Sequence, residues 1–256
     1  MGLDEPHGRG RRCWLMPTKE EEKQDYGYTG PYDPERFCEG YAKEFKKVPK
    51  YNDPSVPDLL FVLRKIGADA RVTDVRWAAY ILATCFIESS HTIKVTKQTR
   101  DKKGAIKEHV LKVWRNFSPA DESGRGKGLA YGDPVKIFRL PTGSARITER
   151  DGDRWEMKLS GIAVKAKGAL TMGVTPGSAA HATYTADEGE EHLYYGRGLV
   201  QITWWYNYAV AGITLGRGLD LLFKPELVNE PDTAYEIMAN GMCDGTIFAN
   251  KKKLSQ

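Results

Sequence analysis

The stretch from Asp74 to Glu88, DVRWAAYILATCFIE, constrains the fold more than any other part of the chain. No charged residue occurs between Trp77 and Ile87, and apolar side chains fall on nearly every face of the helix that this run predicts. Thr73 is its expected N-cap. The run is far too short to cross a membrane, so the helix is expected to be central to a packed core. At 256 residues the chain has room for one sizeable domain with an arm.

The rest of the chain organises around that helix. Residues 1–32 are polar, glycine-rich and charge-dense, and read as a flexible arm or interaction segment. Asp33-Pro34 supplies an N-cap and a first-turn proline, and Phe37, Tyr41 and Phe45 recur every four residues, which predicts a helix ending near Pro49. Pro57 to Ile66 predicts a second helix, stopped by Gly67. Between them and the later helices, residues 135–192 read as alternating β-type segments. Ala145 to Thr148 and Trp155 to Leu159 flank Arg150-Asp-Gly-Asp153 as a hairpin. Helical patterning returns at Val200 to Ala211 and at Thr233 to Met242. The expectation is a mainly α domain over residues 33–256 carrying an inserted small β-rich subdomain.

Charge and cysteines narrow the partners. A net charge of +4 favours an anionic polymer and is too small to argue for nucleic acid, and the one clear basic run, Lys251 to Lys253, reads as a solvated tail. Cys13, Cys38, Cys85 and Cys243 form no C-x-x-C pair and no zinc spacing, so they read as ordinary thiols with Cys85 in the core. No metal constellation stands out, no cofactor is implied, and membrane insertion is not expected. The first residues lack an apolar signal-peptide core, so any transport across a membrane is expected to fall to some other agent.

Tyr194 to Tyr208, YYGRGLVQITWWYNY, has the composition of a sugar-binding cleft. Aromatic faces cover the apolar side of a pyranose, while amides such as Gln201 and Asn207 pair with hydroxyls and acetamides. Gly196 and Gly198 permit a tight turn ahead of it. An aromatic core helix behind a glycine turn is the competing reading.

The same run resembles the [FY]-Y-G-R-G-x-x-Q-[LI]-[ST]-x-x-x-N-Y signature of family-19 glycoside hydrolases, the plant-type chitinases and their bacterial and phage endolysin relatives. Tyr195, Gly196, Arg197, Gly198, Gln201, Thr203, Asn207 and Tyr208 fall on its fixed positions. Ala211-Gly212, Leu215-Gly216, Asp220-Leu221, Pro225-Glu226-Leu227 and Pro231-Asp232 continue it. The resemblance implies a lysozyme-like fold and hydrolysis of β-1,4 linkages in N-acetylated sugar polymers.

Inverting hydrolysis needs a protonated carboxyl for the leaving oxygen and a second carboxylate to activate water. Glu88 ends the apolar helix, where burial and the helix C-terminus both disfavour ionisation, as a general acid requires. The family's A-T-x-x-H-E-[ST] motif resembles Ala83 to Ser89, with Ile87 in place of the histidine. Pro119 to Gly128 with Tyr131-Gly132 resembles the relatives' second acidic loop, which makes Glu122 the general base and leaves Asp121 as the alternative. The stretch between the acids, His91 to Phe117, is longer than in the relatives, basic and partly helical in pattern. Thr203 resembles the residue that holds the attacking water, while Gln201, Tyr206 and Asn207 resemble substrate contacts. Were Val200 to Ala211 helical, Thr203 and Asn207 would share a face. Tyr195 belongs to the same binding set, and Arg197 reads as a ligand contact or, better, as the anchor of its own turn.

The resulting expectation is an endolysin-like hydrolase of peptidoglycan. A chitinase acting on chitin is the alternative within the enzyme class, a non-hydrolytic wall-binding or structural module the alternative outside it, and a lytic transglycosylase ranks last. The family commonly continues past a point like Phe248, so a protein partner, the N-terminal arm or a longer chain would complete the cleft wall.

Overall fold

The computed structural model describes residues 32–45, 56–100, 102, 104–140, 142–165 and 189–247. The arm read over residues 1–32 lies outside them except for Tyr32, as does the C-terminal lysine run. Among the described residues the architecture is mixed, with 42 % helix and 23 % strand, six helices and two antiparallel sheets of five and two strands. The expected mainly α, lysozyme-like domain with a small β insertion is therefore incorrect.

Helix α1 (Pro34–Phe45) starts as expected, the Asp33 carboxylate accepting the Arg36 N–H at 2.9 Å. Helix α2 (Val56–Ala68) buries Leu59, Val62, Leu63 and Ile66, the spacing of one helical face, and runs through Gly67 instead of stopping before it. Helix α3 (Val75–Glu88) is capped by Asp74, whose side chain accepts from the Arg76 N–H; Thr73 lies outside it. Only Ala78, Ile81 and Cys85 of α3 are buried, while Ala79, Tyr80, Ala83 and Ile87 are exposed. The all-apolar helix thus packs by one stripe, because α1 and α2 lie in a cluster on that side alone.

Strands β1 (His91–Arg100) and β2 (Ile106–Arg115) form an antiparallel ribbon with His91 opposite Arg115 and Arg100 opposite Ile106. The segment expected to be partly helical is this hairpin. The larger sheet has the order β6-β5-β4-β3-β7, built from β3 (Val135–Arg139), β4 (Ala145–Thr148), β5 (Arg154–Met157), β6 (Ala163–Lys165) and β7 (Glu190–His192). The β4–β5 hairpin around residues 150–153 forms where the alternation places it.

This sheet is not an appendage. Its inward residues Val135, Ile137, Ala145, Ile147 and Met157 share one core with Tyr194, Tyr208 and Leu222, joining the sheet to helices α4 (Trp205–Thr214) and α5 (Asp220–Phe223). A second core gathers α1 to α3 with Phe117 and Leu199. Helix α6 (Pro231–Ala239) serves both, with Ile237 in the first and Ala234, Tyr235 and Met238 in the second. Segment 194–204 likewise gives Tyr194 and Ile202 to one core and Leu199 to the other. A loop pinned between two packed bodies is a rigid platform for side chains at its surface.

Candidate functional site

Within that loop Arg197 and Ile202 exchange backbone hydrogen bonds of 3.2 and 3.1 Å, closing a tight turn. Gln201 and Trp204 both take left-handed φ, at 50° and 70°. Each such residue costs of order 1–2 kcal/mol, so the loop is held by its contacts. The Gln201 amide donates to the carbonyls of Ala120 (2.9 Å) and Gly198 (3.0 Å). The Gln201 amide nitrogen thus ties the loop to the acidic segment.

Helix α4 begins at Trp205, so Thr203 precedes the helix and does not ride on it. The condition placed on Val200 to Ala211 fails over its first turn because Arg197 and Ile202 pair as an extended bridge. Thr203 and Asn207 still meet, the Asn207 amide donating to the Thr203 carbonyl at 2.7 Å.

Arg197 is buried beneath the loop. Its guanidinium lies 3.8 Å from the Tyr195 ring centroid, donates to the Leu193 carbonyl (2.8 Å) and the Tyr208 hydroxyl (3.1 Å), and sits 3.4 Å from Asp121 Oδ1. Tyr195 is buried too, and its hydroxyl donates to Asp121 Oδ2 at 2.9 Å. The Asn229 amide donates to Asp121 Oδ1 at 2.8 Å. Asp121, Tyr195 and Arg197 are therefore the loop's internal anchor.

Glu122 is held differently. Its backbone N–H donates to the Gly196 carbonyl at 2.7 Å, and the Gly196 N–H returns a bond to Glu122 Oε2 at 3.0 Å. The Tyr131 hydroxyl donates to the other oxygen, Oε1, at 2.8 Å. A Cβ at position 196 would lie 2.7 Å from Gln201 Oε1 and 3.2 Å from Glu122 Cβ, so a side chain there would push the Gln201 amide and crowd the acidic segment. Tyr131 reaches Glu122 because the chain doubles back: a Cβ on Gly132 would sit 1.9 Å from the Gly126 carbonyl oxygen.

Beyond Tyr131 opens a cleft of about 490 Å3, lined by Tyr131, Tyr194, Trp204, Trp205, Glu149 and Asp151 among others. Tyr131 and Trp204 meet edge to face across 6.0 Å. A second cleft of about 420 Å3 is lined by Glu149, Trp155, Ala163, Trp204, Trp205, Tyr206 and Asn207. Trp204 and Tyr206, 44 % and 43 % exposed, offer their rings to solvent. Glu149, which the sequence reading missed, lines both: its carboxylate accepts the indole N–H of Trp205 at 2.6 Å and of Trp155 at 3.1 Å. Its indole partners lie 6 and 56 residues away, so no local pattern marks it.

The carboxylates of Glu149, Asp151 and Asp153 lie within 4.8 Å of one another, but each already has a donor. Glu149 has the two indoles, Asp151 accepts the Asp153 N–H at 2.9 Å, and Asp153 pairs with Lys165 at 2.7 Å. This is the geometry of a hydrogen-bonded turn.

Glu88 stands apart from both clefts, neither of which it lines. The burial expected of Glu88 is not found: the residue is exposed at the end of α3, and only partial desolvation holds its carboxyl above the ordinary glutamate value. Ile87, where the resembled motif has histidine, is 62 % exposed and supplies no polar support. The end of α3 is nevertheless tied to the acidic segment. The Ser89 hydroxyl accepts the Phe117 N–H at 2.8 Å, and the Asn116 amide donates to the Phe86 carbonyl at 3.1 Å and to the Ser90 hydroxyl. From Phe117 to Glu122 the chain spans at most about 18 Å when fully extended.

No protein-family profile, curated protein or solved structure matches this chain.

Proposed function

We propose that the chain is a glycoside hydrolase that cuts β-1,4 linkages in an N-acetylated sugar polymer, with peptidoglycan as the substrate, by an inverting two-carboxylate mechanism. The observation that carries this reading is Glu122, whose two oxygens accept from the Gly196 N–H and from the hydroxyl of Tyr131, a residue that lines an aromatic cleft although Glu122 itself does not. A carboxylate fixed from two sides is oriented before substrate arrives, which is what a general base needs. Between the adjacent acids, the geometry favours Glu122, since Asp121 is engaged by Tyr195, Asn229 and Arg197.

In this reading a glycan lies on Trp204 and Tyr206, with Asn207 and Glu149 close to its polar edge. Glu88, whose carboxyl partial desolvation shifts towards the protonated form, delivers the proton to the leaving oxygen. Glu122 takes the proton of a water positioned with the help of Thr203, and that water attacks the anomeric carbon from the opposite face. The resemblance to family-19 glycoside hydrolases supports the same assignment of Glu88, Glu122 and Thr203.

One observation favours a second reading, a wall-binding module without turnover: neither Glu88 nor Glu122 lines an aromatic cleft. Release of soluble muropeptides from purified peptidoglycan by wild type, Glu88→Gln and Glu122→Gln, with mass spectrometry of the new ends, separates them. Reducing ends from wild type and loss in both variants support the hydrolase. Binding without product in the wild type supports the module, and anhydro ends that survive Glu122→Gln would replace both with a transglycosylase.

A further inference from the structure

The ribbon β1–β2 concentrates the chain's positive charge. Residues 91–115 hold eight Lys or Arg against Asp101 and Glu108, a net +6 beside +4 for the whole chain, so the remainder carries −2. Lys94, Lys97, Arg100 and Lys112 are exposed and have no ion-pair partner among the described residues. Residues facing each other across an antiparallel pair share a face, so Lys94 and Lys112 lie side by side on one surface while Lys97 lies opposite His109 on the other. Like charges paired in this way repel unless an anion lies between them. Val95, Val110 and Leu111 stand exposed among them, giving both surfaces apolar ground next to cations.

The place where the ribbon is rooted matters as much as its charge. Strand β1 starts at His91, three residues after Glu88, and β2 ends at Arg115, seven before Glu122. Arg115 pairs with Asp58 of α2 at 2.8 Å and Val113 is buried, so the base of the ribbon is fixed to the body. Ten residues per strand extend it by roughly 34 Å, enough to lie along several sugar units. An anionic polymer that follows this ribbon to its base reaches the chain segments that carry both candidate carboxylates. A nucleic acid or lipid surface would have no reason to be brought to that point.

We propose that the β1–β2 ribbon is a substrate arm for an anionic glycan, its lysines and arginine pairing with the free carboxylates of peptidoglycan stem peptides and its exposed valines and leucine covering apolar sugar faces. The proposal rests on the hydrolase reading for its choice of polymer. It makes the arm the device that selects charged peptidoglycan over uncharged chitin.

The test is co-sedimentation of the full-length protein with purified sacculi, with sacculi whose carboxylates have been amidated, and with colloidal chitin, at low and high salt. The fourfold variant Lys94→Gln, Lys97→Gln, Arg100→Gln, Lys112→Gln is run beside wild type, with a thermal melt to show that it folds. At modest energies per exposed charge, the variant is expected to bind sacculi about tenfold or more weakly than wild type at low salt. High salt and amidation should lower wild-type binding to the variant's level and leave the variant unchanged. Equal binding by the two proteins, undiminished wild-type binding to amidated sacculi, or tighter wild-type binding to duplex DNA or anionic phospholipid vesicles would each overturn the arm. Because sedimentation reads binding, wild type that binds through the ribbon yet releases no product fails the hydrolase reading and leaves the arm standing. Lysis without charge-dependent binding does the reverse.

Discussion

Replacing Arg197 by Met removes the group on which the loop closes while keeping much of its length and apolar bulk. The guanidinium is almost fully buried, donates to the Leu193 carbonyl and the Tyr208 hydroxyl, and stacks 3.8 Å from the Tyr195 ring. Hydrogen bonds from a charged donor contribute about 1.5–3 kcal/mol, and a desolvated cation on an aromatic ring about 0.5–2 kcal/mol. The approach to Asp121 adds little, since that carboxylate is 35 % exposed and keeps Tyr195 and Asn229 as donors. A loss of about 3–5 kcal/mol is the expected total. For a chain of this size, that lowers the melting temperature by roughly 6–20 °C, measured by calorimetry or far-UV circular dichroism. Arg197→Lys should recover less than half of the loss, because an ammonium cannot both stack and donate in that fork. A Met variant melting within about 2 °C of wild type would refute the claim that Arg197 holds the loop.

Three further outcomes follow from the same geometry. Gly196→Ala places a Cβ 2.7 Å from Gln201 Oε1 and 3.2 Å from Glu122 Cβ; it should cost about 1–3 kcal/mol in a melt and lower muropeptide release on the order of 100-fold. Glu149→Gln turns one carboxylate oxygen into a donor facing an indole N–H, so it should cost about 1–3 kcal/mol and shift the tryptophan fluorescence of the clefts. For Glu88 the native carboxyl is raised by desolvation, so its contribution to stability is present below the ordinary glutamate value and is lost as pH rises through the native value. Glu88→Gln should therefore match wild type in melts near about pH 3.5 and exceed it near about pH 7, and a difference that does not change with pH would sink this account.

The strands of the β4–β5 hairpin are legible because Ala145 and Ile147 face the core while Arg146 and Thr148 do not, and a polar turn separates them from the next strand. What the alternation cannot report is the partner of the inward face. The sheet reads as an insertion until its core is seen to be shared with Tyr208 and Leu222. The β1–β2 ribbon escapes the reading for the opposite reason: both of its faces meet solvent over most of their length, so no burial imposes a clean period of two. In α3 the uniform apolarity overstates burial, because it specifies a helix without saying how many neighbours surround it. Gly67 signals a stop in the sequence, yet a glycine inside a helix costs only about 1 kcal/mol, which α2 offsets by burying four side chains on one face.

The pair Asp121-Glu122 shows why site residues need the fold as well as a motif. Both are acids in a glycine-rich segment, and apart from the motif resemblance that points to Glu122 nothing in their local composition separates them. Once the Gly196 carbonyl accepts the Glu122 N–H and the Gly196 N–H donates to the Glu122 carboxylate, the two side chains meet different partners. Asp121 meets Tyr195, Asn229 and Arg197 under the loop, and Glu122 meets Tyr131 on the cleft side. Exchanging their order would put the longer side chain among the anchoring donors and leave the shorter one to reach Tyr131, so the division of labour depends on position and not on acidity. Gly196, Arg197 and Gln201 lie on one short turn and act respectively on the Glu122 backbone, the Asp121 side chain and the Ala120 carbonyl. Three consecutive residues of the acidic segment are thus positioned by one turn, and any function that uses Glu122 inherits the rigidity of the loop between the two cores.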